Sequence, residues 1–244
     1  MPRGMWMSHA EFDRYSETCF DEKHRGEDFE LIARGYGEYY HDCLPSDRGA
    51  PILDLGCGPG HFLRFLEISG YSHAEGIEVS AQQAERARKR VSLPVHVGDV
   101  AEYLERRRGY YQVITLNDVL EHICKDHTVS FLRTLRIGLD DGGSLVVNVP
   151  QAAGLTSAYC RYDDFTHKLV FTEASLRQVL LMADFREVRF VREKWPVKWT
   201  PRHLSYRLVR WVWYRLLRLI YFIEMPGEKP PGSWQTRLVA VAKP

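Results

Sequence analysis

Two stretches of the chain bring acid–base groups together at short spacing. Asp118-x-x-Glu121-His122 places two carboxylates and an imidazole within one loop length, and Asp163-Asp164-Phe165-Thr166-His167 repeats the combination further on. Carboxylates with an imidazole suit a hard or borderline divalent cation. They also suit removal of a proton from a hydroxyl, since the imidazole pKa lies near working pH. A third stretch, ILDLGCGPGHF from Ile52 to Phe62, is of another kind. Gly56, Gly58 and Gly60 alternate after a short apolar run that contains Asp54. Glycine takes φ > 0 and, lacking Cβ, lets a ligand approach the main chain. The stretch reads as a buried strand entering a tight turn and then a helix, the way α/β folds build a nucleotide-type pocket.

The elements around these residues alternate. Strands are expected at Pro51 to Leu55, Ala74 to Glu78, Val95 to Gly98, Tyr111 to Leu116, Ser144 to Val149, Arg186 to Arg192 and Thr236 to Ala242. Helices are expected after Gly60 to about Ser69, at Ala81 to Val91 behind a Ser80 cap, at Thr128 to Leu139, and at Glu173 to Met182 behind Thr172. Glu27 to Leu44 reads as an N-terminal helix. Strands alternating with helices at this spacing imply βαβ units and a parallel sheet.

The pocket chemistry narrows the ligand. A dinucleotide fingerprint needs GxGxxG, whereas this chain has GxGxG. Asp54 before the turn opposes a pyrophosphate and suits an amino group or other cation. Glu78, at the end of the second strand, is placed to accept both hydroxyls of a ribose, and Asp99 is placed at the adenine edge. Three acidic groups without a phosphate clamp point to S-adenosylmethionine, with its sulfonium and ammonium, and away from an NAD-binding oxidoreductase.

At these residues the chain resembles the class I S-adenosylmethionine-dependent methyltransferases. The likeness runs from about Ile52 to Arg192, with the closing strand, through LDLGCGPG, GIEVS, GDV, LNDVLEHI and GGSLVVNVP in order. It implies a Rossmann-like seven-stranded α/β sheet with helices on both faces and an antiparallel last strand. It implies that Asp54 approaches the methionine amino group and that Gly56, Gly58 and Gly60 floor the methionine and ribose. Glu78 would hold the ribose, Asp99 and the Val100 backbone would read adenine, and Asn117 would border the sulfonium. The Asp118-x-x-Glu121-His122 element resembles that of small-molecule O-methyltransferases such as those of ubiquinone synthesis, some of which place a divalent cation such as Mg there. The alternative is that Glu121 and His122 hydrogen-bond around the pocket rim. The Asp164-x-Thr166-His167 segment resembles that of bacterial methyltransferases acting on glycans. His167 would then be the general base and Asp164 its orienting partner, beside Tyr159, Arg161 and Tyr162 as sugar-facing groups; the alternative is local packing.

The chain has 244 residues, room for one large α/β domain or a domain with an extension. The expected division is an N-terminal helical cap (1–50), the S-adenosylmethionine-binding core (51–193), a helical insertion (194–233) and the final strand (234–244). A formal net charge of +1 gives no global argument for nucleic acid. Five scattered cysteines, Cys19, Cys43, Cys57, Cys124 and Cys160, form no CxxC, which disfavours a zinc site or disulfide framework and favours a reducing compartment. The first residues hold no apolar core of a secretory signal, so a cytoplasmic location is expected.

His203 to Ile223, HLSYRLVRWVWYRLLRLIYFI, sets Arg207, Arg210, Arg215 and Arg218 within an arc of about 140° at roughly 100° per residue, with aliphatic residues opposite. That is a basic amphipathic helix, suited to the inner face of a membrane or to a homodimer contact, and too interrupted by arginine to span a bilayer. The resulting expectation is an O-methyltransferase acting on a hydroxyl of a sugar, a cell-surface glycan or its glycolipid precursor. The alternatives are a quinone- or phenol-type acceptor and a non-catalytic S-adenosylmethionine-binding interaction module.

Overall fold

The computed structural model describes residues 26, 28–40, 42–154, 156–192 and 200–244, the side chains of 201–203 excepted. Glu27 and His41 of the expected N-terminal helix, Cys19, and the first part of the expected insertion lie outside the described residues. Ile52–Leu55 (β1) is buried at every position, as a central strand covered on both faces must be. It pairs in parallel with Ala74–Glu78 (β2) on one side and with Tyr111–Asn117 (β4) on the other. Val95–Val97 (β3) extends the β2 side, and Leu139–Pro150 (β5) extends the β4 side, both parallel. Arg237–Lys243 (β7) then inserts antiparallel between β5 and Glu187–Val191 (β6). The order is β3-β2-β1-β4-β5-β7-β6, the seven-stranded sheet that the sequence implied.

Helices cover both faces. Phe29–Gly35 (α1), Gly37–Tyr40 (α2), His61–Ile68 (α3) and Ala81–Arg88 (α4) face one apolar cluster, built on Tyr40, Phe62, Leu66 and Ala84. Val100–Glu105 (α5), Lys125–Gly138 (α6) and Glu173–Met182 (α8) face the other, built on Leu104, Phe131, Leu135 and Leu180. Between β5 and α8 lies the short Ser157–Tyr162 (α7). The expected single helix from Glu27 to Leu44 is two short pieces in its described part. Asp28 caps the first by accepting from the amides of Glu30 and Leu31 at 3.0 and 3.2 Å.

Strand β5 begins earlier than expected. Tyr111 pairs with Leu139, then the register shifts and Val113 pairs with Ser144. Asp140 to Gly143 bulges out, with the Gly142 amide donating to Asp140 Oδ1 at 3.0 Å, so the glycine pair reads as a turn but is a bulge inside one strand.

Pro201–Glu224 (α9) is the described part of the insertion. Leu217 is buried, and the Tyr221 ring meets Trp234 edge-on at 6.0 Å. Leu208, Val212, Leu216, Leu219, Phe222 and Ile223 are exposed. Among the described residues no helix is long and apolar enough to cross a membrane.

The sheet reverses direction of growth at β1, between β2 and β4. Open α/β sheets bind ligands in the crevice beyond the strand ends at that point. A cleft of about 500 Å³ lies there, lined by residues following β1, β2, β3 and β4.

Candidate active site

The glycine loop forms one wall of the cleft. Gly56 sits at φ +70°, and a Cβ there would lie 2.5 Å from Val119 Cγ2. Gly58 is also left-handed, at φ +52°, but a Cβ would meet nothing within 4 Å, so open space adjoins the main chain at the centre of the loop. Glu78 holds that loop in place. Its Oε2 accepts from the Gly58 amide and its Oε1 from the Ser80 amide, each at 2.9 Å. Burial pushes the Glu78 carboxyl up, while these amides pull it down. Each oxygen keeps a second lone pair, which is what a ribose diol requires.

Asp54 is buried within β1 and takes two donors on Oδ1: Thr115 Oγ1 at 2.8 Å and Asn117 Nδ2 at 3.2 Å. Burial pushes its pKa up to about 7 against those two hydrogen bonds, and the charge of Glu78 adds to the rise. Asn117 is itself oriented by the buried Tyr40 hydroxyl, which donates to its Oδ1. Thr115 and Tyr40 were not singled out in the sequence. Thr115 stands directly beside Asp54 in the β1–β4 register, a pairing visible only once that register is known. Asp99 caps α5 by accepting from the Glu102 amide at 3.0 Å, and it borders the cleft together with Val100.

The acid–base stretches meet on the same cleft. Asp118 takes φ +54° at the end of β4, a left-handed position that Asp tolerates better than most residues. Its carboxylate pairs with Arg237 of β7, whose Nε donates to Asn148 Oδ1 at 2.9 Å. Burial opposes ionisation of Asp118, but the Arg237 guanidinium prevails and holds the carboxyl below its usual range. Arg237 is a third residue that the sequence did not single out; it reaches the site only because β7 runs antiparallel beside β5.

Glu121 and His122 lie in a 3₁₀ turn, Leu120–His122, just after β4. Glu121 is fully buried; among the described residues no N–H group donates to its carboxyl oxygens, and its polar neighbour is the Asp118 carboxyl. Burial, then the charge of Asp118, pushes this carboxyl well above its usual range. Its backbone carbonyl accepts from the amides of Lys168 and Leu169 at 2.8 and 3.0 Å, which ties the two acid–base loops together. His122 is buried, and its Nδ1 lies 2.9 Å from Thr166 Oγ1. That hydroxyl donates to Asp164 Oδ1 at 2.7 Å, so it accepts from His122 Nδ1–H. Burial, then the neighbouring His167, lowers the His122 pKa to about 4.

His167 Nδ1 lies 2.8 Å from the Cys160 carbonyl, which only accepts, so the proton sits on Nδ1. Its Nε2 is 3.9 Å from Asp164 Oδ2. The two imidazole rings meet edge-on with centroids 4.8 Å apart. The expected pairing of Asp164 with His167 is therefore longer than a hydrogen bond, and the close partner of Asp164 is Thr166. Glu121, His122 and His167 converge, while Asp118 turns to Arg237. Tyr159, Tyr162 and Phe165, in and just after α7, are exposed.

A family model described as a methyltransferase domain matches residues 27–189. An uncharacterised 37.1 kDa protein encoded in transposon TN4556 of Streptomyces fradiae is 34% identical over 133 residues, covering 52% of this chain and 38% of that protein. The N-terminal Xaa-Pro-Lys N-methyltransferase 1-A of Xenopus laevis is 28% identical over 134 residues, covering 50% of this chain and 59% of that protein. The chain thus spans less than two thirds of the length of either relative. Among solved structures, an S-adenosylmethionine-dependent methyltransferase of Archaeoglobus fulgidus superposes with a TM-score of 0.66 at 21% identity, covering 92% of this chain and 98% of that one. With the family model spanning most of the chain and the cleft at the switch point of the sheet, the chain belongs to the methyltransferase-domain family and carries the class I S-adenosylmethionine-dependent methyltransferase fold.

Proposed function

We propose that this protein transfers a methyl group from S-adenosylmethionine to a hydroxyl oxygen of a sugar, on a glycan or its lipid-linked precursor. S-adenosylmethionine supplies an electrophilic methyl carbon on a sulfonium. The residues fit that group: open space lies over Gly58, a buried carboxylate on β1 suits an ammonium, and Glu78 keeps lone pairs for a diol. Asp54 and Asn117 hold the amino-acid end, Glu78 the ribose, and Asp99 with Val100 the adenine.

The observation that carries a hydroxyl acceptor is the pair of imidazoles, His122 and His167, bordering the same cleft as Asp54 and Glu78. With its proton on Nδ1, His167 presents the Nε2 lone pair as the base. The acceptor oxygen bonds to the methyl carbon as the carbon–sulfur bond breaks, and the hydroxyl proton passes to His167 Nε2. Asp164, 3.9 Å away, stabilises the imidazolium that results. The exposed Tyr159, Tyr162 and Phe165 offer ring faces against which a sugar can stack. A quinone- or phenol-type acceptor is the second reading, favoured by Val119, Ile123 and Phe131 in the cleft lining.

Helix α9 supports presentation of the acceptor at an anionic membrane surface. Its aliphatic stripe faces away from the core, with Arg207, Arg215 and Arg218 along one edge. A two-fold contact through the same stripe would instead bring arginine rows together with no acidic residue in the helix before Glu224. Turnover of methyl-labelled S-adenosylmethionine against sugar, lipid-linked glycan and phenolic acceptors tests the assignment. Label on a sugar hydroxyl is expected, label on a phenol selects the second reading, and cofactor binding without turnover favours a non-catalytic module.

A further inference from the structure

We propose that Glu121, His122 and His167 form a binding site for a divalent transition-metal ion of borderline softness, the class of Mn(II), Co(II) or Zn(II). One donor atom from each residue lies within 4.8 Å of the others, close enough for all three to share one ion after small side-chain adjustments. Three features of the cluster support this.

The first is Glu121. A fully buried carboxyl that receives no N–H donor on either oxygen, and has only the Asp118 carboxyl beside it, recovers little of its lost hydration. A cation offsets that cost directly.

The second is the pair of tautomers. Thr166 receives the His122 Nδ1 proton, and the Cys160 carbonyl receives that of His167. Each imidazole therefore carries its lone pair on Nε2. Metal-binding histidines are held in this way, with the remaining ring N–H bonded to a carbonyl, carboxylate or hydroxyl that fixes ring orientation. Asp164 extends the support outward by accepting from both the hydroxyl and the amide of Thr166, at 2.7 and 2.9 Å.

The third is what the cluster leaves out. Asp118, expected from the sequence to be a ligand, is neutralised by Arg237. The remaining set of two nitrogens and one oxygen suits borderline ions and is poor for Mg, which prefers an octahedron of oxygens.

Three protein ligands leave positions open on the cleft side. Positive charge there would make a nearby acceptor hydroxyl more acidic, so that with His167 Nε2 engaged as a ligand the hydroxyl proton would pass to solvent water instead. This role rests on the methyl-transfer reading, whereas ion binding itself does not.

The test is titration of chelator-stripped full-length protein with Co(II), read by visible d–d absorbance and by calorimetry. Saturable binding of one ion per chain is expected. Glu121→Gln and His167→Ala should each weaken it by at least about 100-fold, the upper end of what loss of an outer-shell partner costs. Asp118→Asn should retain affinity within about threefold. S-adenosylhomocysteine affinity and far-ultraviolet circular dichroism, unchanged in Glu121→Gln, confirm that this variant folds. Absence of saturable binding by wild type overturns the site, as does binding that Glu121→Gln and His167→Ala leave intact. Loss of binding in Asp118→Asn with His167→Ala silent overturns this ligand set. Full methyl transfer by ion-free protein would overturn the role in turnover while leaving the methyl-transfer reading in place. Ion binding without turnover on any acceptor would overturn the methyl-transfer reading while leaving the ion site in place.

Discussion

Asp54 is a carboxylate inside a central strand, at the border of the cleft. It sits where a parallel central strand wants an apolar residue, and burial lifts its pKa to about 7 despite two donors. In the unfolded chain its pKa is about 3.9. The folded state therefore binds this proton more tightly, and the stabilisation this gives is complete below about pH 4 and lost as pH rises through 7. The ligand ammonium needs the carboxylate ionised. Binding of S-adenosylhomocysteine should accordingly tighten between pH 5.5 and 8, with proton release near neutrality, measured by calorimetry in two buffers of different ionisation enthalpy. Asp54→Asn should bind more weakly and lose both effects; an unchanged pH profile in that variant would remove Asp54 from the ammonium site. Asp54, Glu78 and Asp99, which all line the cleft, were legible because a carboxylate inside an apolar strand, at a strand end or just past one is unusual. Thr115, Tyr40 and Arg237 were not, because each reaches the cleft through strand pairing or packing between residues far apart in the chain.

The glycine loop and α9 mark the extremes of constraint among the elements. At Gly56 an added methyl meets both a left-handed φ and Val119 Cγ2 at 2.5 Å. Gly56→Ala should destabilise the fold by roughly 2–4 kcal/mol, from overpacking together with the φ penalty. Adding Val119→Ala removes the clash but not the φ cost, so thermal melting should recover in part. Melting of Gly56→Ala at the wild-type temperature would contradict the geometry. Among the described residues, helix α9 buries Leu217, sets Tyr221 against Trp234 and leaves its aliphatic stripe exposed. If that stripe meets anionic lipid, each arginine contributes about 1 kcal/mol near the surface, fading within a Debye length of roughly 8 Å at physiological salt. Sedimentation with anionic vesicles should fall when Arg207, Arg215 and Arg218 become Gln, with no change in melting. A protein that stays in the supernatant at low salt and is dimeric by light scattering would assign the stripe to a second copy. The helix itself was legible from its periodicity; which way it faces was not, since a helical wheel orders residues but does not say which side the core takes. The bulge in β5 was missed because Asp-Gly-Gly has the composition of a turn, and only pairing with β4 reveals that the strand continues through it.

At the scale of the whole molecule, strand order does work that no local motif shows. Strands β1 and β4 place Asp54 beside Thr115 and Asn117, and β7 carries Arg237 to Asp118. The crossing of the two acid–base loops at the Glu121 carbonyl brings His122 and His167 edge to edge although they lie far apart in the chain. The fold was legible because alternating strands and helices, with a glycine turn after the first strand, leave few topologies. The two acid–base stretches read as rivals, because sequence spacing cannot show that they converge on one cleft. That convergence is the central claim, and the rate of methyl transfer from S-adenosylmethionine by His167→Ala tests it most directly. On whichever sugar acceptor the wild type turns over, the variant should be slower by about 10²–10⁴-fold, with cofactor affinity changed less than threefold. Wild-type turnover in His167→Ala would show that the imidazole pair takes no part in the chemistry of the cleft.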